Sequence, residues 1–355
     1  MIKYSVSVFS SAALAILLMA LVAAARNPLN HRMNKRIVGG SAVAEGKYKF
    51  AVHLTIKTET TEYLCGGSLL ANNLVVTAAH CMVDADTNSV YQPSQVTVCY
   101  GSVNVNKMSC TSARNITVNN KYNPETYVND IALIQISPLK SSSFSTVKIY
   151  MGELPESTEL ITMGWGKTSD SSAVLPSTLM STTIKVGDSA TCKLADGSYQ
   201  SANGPEICSV NAMTPGKDSC SGDSGSPTVI EIDGQDYLAG LTSTGVDLVH
   251  PEEATCATRN GVAFYTHIRE FRQFIAKVTG LPENSFDAAN TSKYSPVGGS
   301  GTASGSGSGS GSDSDSDSSS SSSAATAVVA PGAGSSMLSS ALLCAALAAA
   351  SLLAL

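Results

Sequence analysis

Three residues of the types needed for nucleophilic acyl transfer stand far apart in the sequence. Ser224 lies in the stretch from Asp218 to Pro227, which reads Asp-Ser-Cys-Ser-Gly-Asp-Ser-Gly-Ser-Pro. A glycine-rich bend of this kind can expose a hydroxyl and aim backbone N–H groups at one point, here those of Gly222 and Ser224. His80 closes the run Leu-Val-Val-Thr-Ala-Ala-His that starts at Leu74, and Cys81 follows it directly. Asp130 precedes the apolar Ile131, Ala132, Leu133 and Ile134, which places a carboxylate at the mouth of a buried strand. Taken singly, these residues read as a core histidine, a strand-capping aspartate and a turn. Jointly they supply a nucleophile, a base, a group to orient the base and donors for an oxyanion.

The elements that must position them are short. Between residues 37 and 281, β-prone runs at 50–56, 74–77, 95–100, 131–136 and 237–242 are separated by turn residues. Such spacing argues an all-β sandwich or barrel, and the length suits one unit or two packed barrels. The body closes differently. Ile268, Phe271, Phe274, Ile275 and Val278 recur at helical spacing, with Gly280 and Pro282 as a stop, which predicts an amphipathic helix.

Both ends carry processing signals. Lys3 and an apolar run over 12–25 that finishes in alanines read as a secretory signal peptide, residues 1–25. Residues 282–336 hold a Ser/Gly/Asp-rich stretch too poor in apolar side chains to bury a core, so a flexible stalk is expected. The apolar tail 337–355 then fits a removable signal for a glycosylphosphatidylinositol (GPI) lipid anchor, with Ser321, Ser322, Ser323 or Gly332 as attachment residue. A plain C-terminal membrane span is the alternative. There are nine cysteines, and loss of Cys344 with the tail leaves an even set, as expected of disulfides formed in an oxidising compartment. Asn115 and Asn290 open glycosylation sequons. The formal net charge of −6 argues against a nucleic-acid partner.

In the order His80, Asp130, Ser224, and with these neighbours, the chain resembles the chymotrypsin-like serine protease family, specifically its trypsin branch, over essentially all of 37–280. The resemblance implies an all-β fold of two antiparallel six-stranded barrels with a C-terminal α-helix, and the three residues in the cleft between the barrels. His80 would be the base, Asp130 its orienting acid, and Gly222 and Ser224 the oxyanion donors. Protein or peptide substrates would be cut through an acyl-enzyme by a monomer without cofactor or metal.

Lys35 and Arg36 precede Ile37-Val38-Gly39-Gly40, which looks like the family's mature N-terminus. Residues 26–36 would then be a propeptide removed by a processing protease after Arg36, and the freed amine of Ile37 would pair with Asp223. Asp218 matches the base of the trypsin branch's primary pocket and implies selection of Lys and Arg, with Ser219, Ser243 and Gly245 around it. The second pocket glycine is matched by Gly261 on motif, whereas spacing from Cys256 brings Ala263 there. Family pairs imply the disulfides Cys65–Cys81, Cys192–Cys208 and Cys220–Cys256. Cys99 and Cys110 pair by elimination, their separation suiting a hairpin. The Gly164-Trp165-Gly166 motif reads as a loop packing feature without chemical work.

Four departures stand out. Thr244 replaces a usual Trp, and Ser226 replaces a glycine, a change expected to be tolerated. Residues 245–256 form an insert whose Asp247, Glu252 and Glu253 could favour basic substrates, although solvation is the expected reading. The hairpin 98–110, which binds calcium in some relatives, has no carboxylate, so no calcium site is expected there. The competing function is a non-catalytic surface adhesion module on the same fold.

Overall fold

The computed structural model describes residues 37–289 apart from Ser141 and Ala254. The expected signal peptide, propeptide and anchor tail, with Arg36, Asn290 and Cys344, lie outside the described residues. After a short β1 (Ser41–Ala42), the first half contains β2 (Ala51–Lys57), β3 (Glu62–Ala71), β4 (Leu74–Thr77), β5 (Val96–Tyr100), β6 (Ser109–Val118) and β7 (Ala132–Ile136). They close as an antiparallel barrel in the order β2-β3-β4-β7-β6-β5. Period-two patterning explains the closure: Val52, Leu54 and Ile56 of β2 are fully buried among Leu69, Val75, Val96, Val98 and Ile134 from the other strands. Each such side chain contributes roughly 1.5–3 kcal/mol of burial.

The second half holds β8 (Lys148–Ile149), β9 (Glu159–Gly164), β10 (Met180–Lys185), β11 (Glu206–Val210), β12 (Pro227–Ile232), β13 (Gln235–Asp247) and β14 (Gly261–His267). With β1 they form one eight-stranded sheet in the order β1-β10-β9-β12-β13-β14-β11, and β8 adds in parallel to β13. This departs from the second closed six-stranded barrel of the family pattern. The end of β10 meets β11 only at the bridge Val186 to Ser209 and the bond from Gly187 N–H to the Cys208 carbonyl at 2.8 Å. The ladder stops there because the chain turns at Gly187 into α1 (Ser189–Ala195), whose first turn is capped by Asp188 accepting from Thr191 N–H.

The expected C-terminal helix begins as a 3₁₀ turn, Ile268–Phe271, and continues as α2 (Arg272–Thr279). Gly280 ends it in the left-handed region, φ 70°, donating its N–H to Ala276. The first residues assigned to the stalk instead pack on the body: Phe286 is buried, Asp287 pairs with Arg272 at 3.0 Å, and Ala288 N–H bonds the Ile149 carbonyl. A further core lies between the barrel, the second sheet and α2, built from residues such as Leu70, Ile131, Trp165, Leu241 and Ile275. No helix of the described residues is long and apolar enough to cross a membrane.

Candidate active site

The chain enters β7 through Asp130, whose side chain is 1% exposed. One carboxylate oxygen, Oδ1, accepts the backbone N–H of His80 at 2.8 Å. The other, Oδ2, receives His80 Nδ1 at 2.7 Å and the Ser243 hydroxyl at 2.6 Å. Three donors converge on this buried carboxylate, which holds the imidazole ring at its Nδ1 edge. The backbone carbonyl of Asp130 in turn accepts the Thr266 hydroxyl at 2.8 Å. Ser243 and Thr266 come from β13 and β14, so the second sheet grips a residue of the first half. Expected as a pocket residue, Ser243 lines the pocket and also commits its hydroxyl to Asp130. Tyr127 packs edge-on against the His80 ring, with centroids 5.4 Å apart.

His80, Gly222 and Ser224 line one open cleft of about 650 Å³, together with Glu62, Asp84, Lys167 and others. The Ser224 loop is pinned from both halves of the fold. Gly66 N–H from β3 bonds the Ser224 carbonyl at 2.7 Å, and Gly225 N–H bonds the Thr242 carbonyl of β13 at 2.7 Å. Gly225 has φ 73°, and a Cβ there would lie 2.2 Å from Thr77 Oγ1, so only glycine fits. Gly222, at φ 97°, uses the same freedom in the turn before the serine. The N–H groups of Gly222 and Ser224 have no protein acceptor among the described residues, which leaves both available to an oxyanion. Ser226 fits because Gly66 and Gly164 face it without side chains, but its buried hydroxyl has no hydrogen-bond partner among the described residues.

A cavity of about 200 Å³ adjoins Ser224 and is lined by Asp218, Ser219, Ser243, Gly245, Gly261 and Ala263, among others. Sheet register resolves the choice left by the sequence: Gly245 pairs directly with Ala263 across β13 and β14, whereas Gly261 pairs with Asp247. The wall opposite Gly245 therefore carries a methyl group. Asp218 is only 7% exposed. Burial pushes its carboxyl up, and hydrogen bonds from Asn211 Nδ2 and from the Ala257 and Ser219 N–H groups pull the other way. Ser219 Oγ lies 3.3 Å from the hydroxyl of buried Tyr265. Asp247 is not solvated as expected. It is 3% exposed, and its carboxylate accepts the N–H groups of Val249 and His250 and the Thr258 hydroxyl, organising the insert. Glu252 and Glu253 are exposed, and Glu253 lines the pocket.

Asp223 is wholly buried behind the serine loop. Its oxygens accept Gly166 N–H at 2.7 Å and Cys220 N–H at 2.9 Å, and burial pushes its carboxyl up to about 7. The glycines of the Gly-Trp-Gly motif form its slot: a Cβ would come within 2.1 Å of the carboxylate at 164 and 2.6 Å at 166. Loop packing alone thus understates this motif. Trp165 itself packs inward and donates Nε1 to the Val103 carbonyl at 2.9 Å. Ile37 is fully buried, and Val38 accepts the Asp218 N–H, so residues 37–38 dock beside the pocket base.

All four disulfides match the expected pairs: Cys65–Cys81, Cys99–Cys110, Cys192–Cys208 and Cys220–Cys256. Among the described residues, three groups bring metal-binding atoms within 4.8 Å of one another. Two of these use sulfurs joined in disulfides, which are not thiolate ligands. The third, His250 with Glu252 and Glu253, is exposed on the insert. Asn115 is exposed on β6, its amide 3.3 Å from Gln135 Oε1. Sequence reasoning missed Tyr127, Thr266 and Asn211, none of which stands in a recognisable motif.

A family model described as Trypsin matches residues 37–275. Trypsin Blo t 3 of Blomia tropicalis is 31% identical over 282 residues, covering 73% of this chain and 95% of its own. Trypsin epsilon of Drosophila erecta is 30% identical over 237 residues, 65% of this chain and 86% of its own. Mannan-binding lectin serine protease 1 of Homo sapiens is 29% identical over 234 residues, 61% of this chain and 32% of its own.

Proposed function

Because the chain belongs to the chymotrypsin-like serine protease family and is a serine protease hydrolase, we propose that it is an endopeptidase cutting after Lys or Arg, made as a zymogen and secreted. The observation that carries this reading is the pairing of His80 Nδ1 with Asp130 Oδ2 at 2.7 Å, in a cleft also lined by Ser224 and adjoining a pocket that contains Asp218.

In this scheme Ser224 Oγ attacks the scissile carbonyl and its proton passes to His80 Nε2. Asp130 fixes the Nδ1–H tautomer and stabilises the imidazolium. The developing oxyanion is met by the N–H groups of Gly222 and Ser224. His80 then protonates the leaving amine, and water releases the acyl group by the same steps in reverse. A Lys or Arg side chain pairs with Asp218, with Gly245 and Ala263 as facing walls. The second sheet serves as the family's second barrel, curled nearly shut at Val186 and Ser209.

Cleavage after Arg36 frees the Ile37 amine, and its ammonium supplies the counter-charge that buried Asp223 lacks in the uncut chain. The burial of Ile37 and the slot around Asp223 support this role. Four disulfides favour export to an oxidising compartment. The signal peptide, the propeptide, the lipid anchor at the cell surface and glycosylation at Asn115 and Asn290 rest on the sequence alone, and intact mass of the mature protein tests them.

The deciding experiment is labelling by an active-site phosphonate after cleavage at Arg36. A covalent adduct on Ser224, with Lys and Arg preference in a mixed peptide library, is the expected result. Absence of an adduct would favour the adhesion module, and an adduct with cuts after aromatic or small residues would remove Asp218 from its assigned role.

A further inference from the structure

Asn211 has no part in the scheme above, yet it is fully buried against the pocket floor. It opens the 3₁₀ turn Asn211–Met213 that follows β11. Its Nδ2 donates to Asp218 Oδ2 at 2.8 Å, and the Ala257 N–H donates to the same oxygen at 3.0 Å. The amide orientation is dictated, because the reversed form would set its oxygen against a carboxylate oxygen. Glycine at 261 makes room for it: a Cβ there would lie 2.4 Å from Asn211 Nδ2. Ala257 holds a left-handed backbone, φ 57°, which its neighbour Cys256 anchors through the disulfide to Cys220.

A carboxylate oxygen has two lone pairs, so two donors saturate Oδ2 and leave Oδ1, even with the Ser219 N–H on it, as the oxygen with a lone pair for an incoming cation. An ammonium is a point charge that one oxygen and a nearby hydroxyl such as Ser219 can satisfy. A guanidinium gains most from a fork onto two oxygens. We infer that Asn211 is a specificity-determining residue that, with the Ala257 N–H, withholds one oxygen of Asp218 and tilts the pocket towards Lys over Arg. This rests on the reading of Asp218 as the base of the primary pocket.

The test uses the cleaved enzyme and peptide substrates identical except for Lys or Arg at the cleaved bond. The ratio of the two kcat/KM values is taken within one preparation, so it does not depend on the active fraction. Wild type should favour Lys. Asn211→Ala and Asn211→Leu should each shift the ratio towards Arg by about tenfold, mainly through KM, as one charge-assisted hydrogen bond is returned to the ligand. A wild type that favours Arg overturns the inference, even if neither variant folds. So does a ratio that stays within about twofold in both variants. Asp218→Ser isolates the underlying reading: retained cleavage after both residues would sink that reading itself, whatever the Asn211 variants do.

Discussion

Replacing Asp130 by Asn probes the proposed mechanism most sharply, because the structure dictates which way the new amide must face. Oδ1 accepts a backbone N–H, that of His80, which cannot reverse its polarity. Oδ2 accepts His80 Nδ1 and the Ser243 hydroxyl, both of which can become acceptors. The amide nitrogen of Asp130→Asn therefore takes the Oδ2 position and donates to Nδ1. The imidazole then carries its proton on Nε2, the nitrogen that must accept from Ser224. Restoring the working tautomer opposes two N–H donors at about 1–3 kcal/mol, and the charge-assisted bond to the imidazolium, about 1.5–3 kcal/mol, is lost as well. Together these come to about 2.5–6 kcal/mol, or a fall in kcat of roughly 10²- to 10⁴-fold. The upper end matches what the family's template enzyme loses with the equivalent change. The assay is steady-state hydrolysis of a Lys amide substrate by the cleaved enzyme near pH 8, with Ser224→Ala as background and a thermal melt to confirm folding. A folded variant that keeps kcat within tenfold of wild type would refute the tautomer argument.

Other expectations follow from the same contacts. Among the described residues the charge acting on Asp223 is that of Asp218, also negative, and burial raises its carboxyl from 3.8 to about 7. A raised carboxyl binds protons more tightly when folded, so the uncut Arg36→Gln protein should lose stability as pH rises from about 4 to about 7, by a few kcal/mol at most. Adding Asp223→Asn should flatten that trend in denaturant titrations at pH 4.5 and 7.5; an unchanged slope would exonerate Asp223. Gly166→Ala would place a Cβ 2.6 Å from Asp223 Cγ and 2.7 Å from its backbone nitrogen. It should cost about 3 kcal/mol in a urea melt and abolish turnover of the cleaved form, an outcome that a fully active variant would contradict. Ser226→Ala removes a buried hydroxyl that has no partner among the described residues and should stabilise by about 1 kcal/mol, read as a rise of a few degrees in Tm. A fall in Tm would show that the hydroxyl is satisfied.

The candidate constellation of His80, Asp130 and Ser224 could be picked out because its residues sit in dense local motifs, and the disulfides because their pairing is short-range or family-wide. Legibility failed where a role depends on what the fold brings alongside. The choice between Gly261 and Ala263 is a matter of strand register, visible only in the pairing of Gly245 with Ala263. Gly164 and Gly166 look like loop residues until the Asp223 carboxylate is found lying on them. Asp247 reads as a surface acid, yet its own loop folds back to donate to it. Asn211 lacks any local signature, since its partner Asp218 is set by the turn between them. An all-β body was readable from the short β-prone runs, but how closely the second sheet approaches a barrel depends on the bridge Val186 to Ser209 and the bond from Gly187 N–H to the Cys208 carbonyl, which no local run encodes.

Asp130 takes His80 from its own half of the molecule and Ser243 and Thr266 from the other. The acid thereby acts as a rivet through the seam, and its charge is the same one that steers the imidazole. A hinge motion that parted the halves would have to break the bonds from Ser243 and Thr266 to Asp130 together, so opening the cleft that way would also release the acid from its place beside His80.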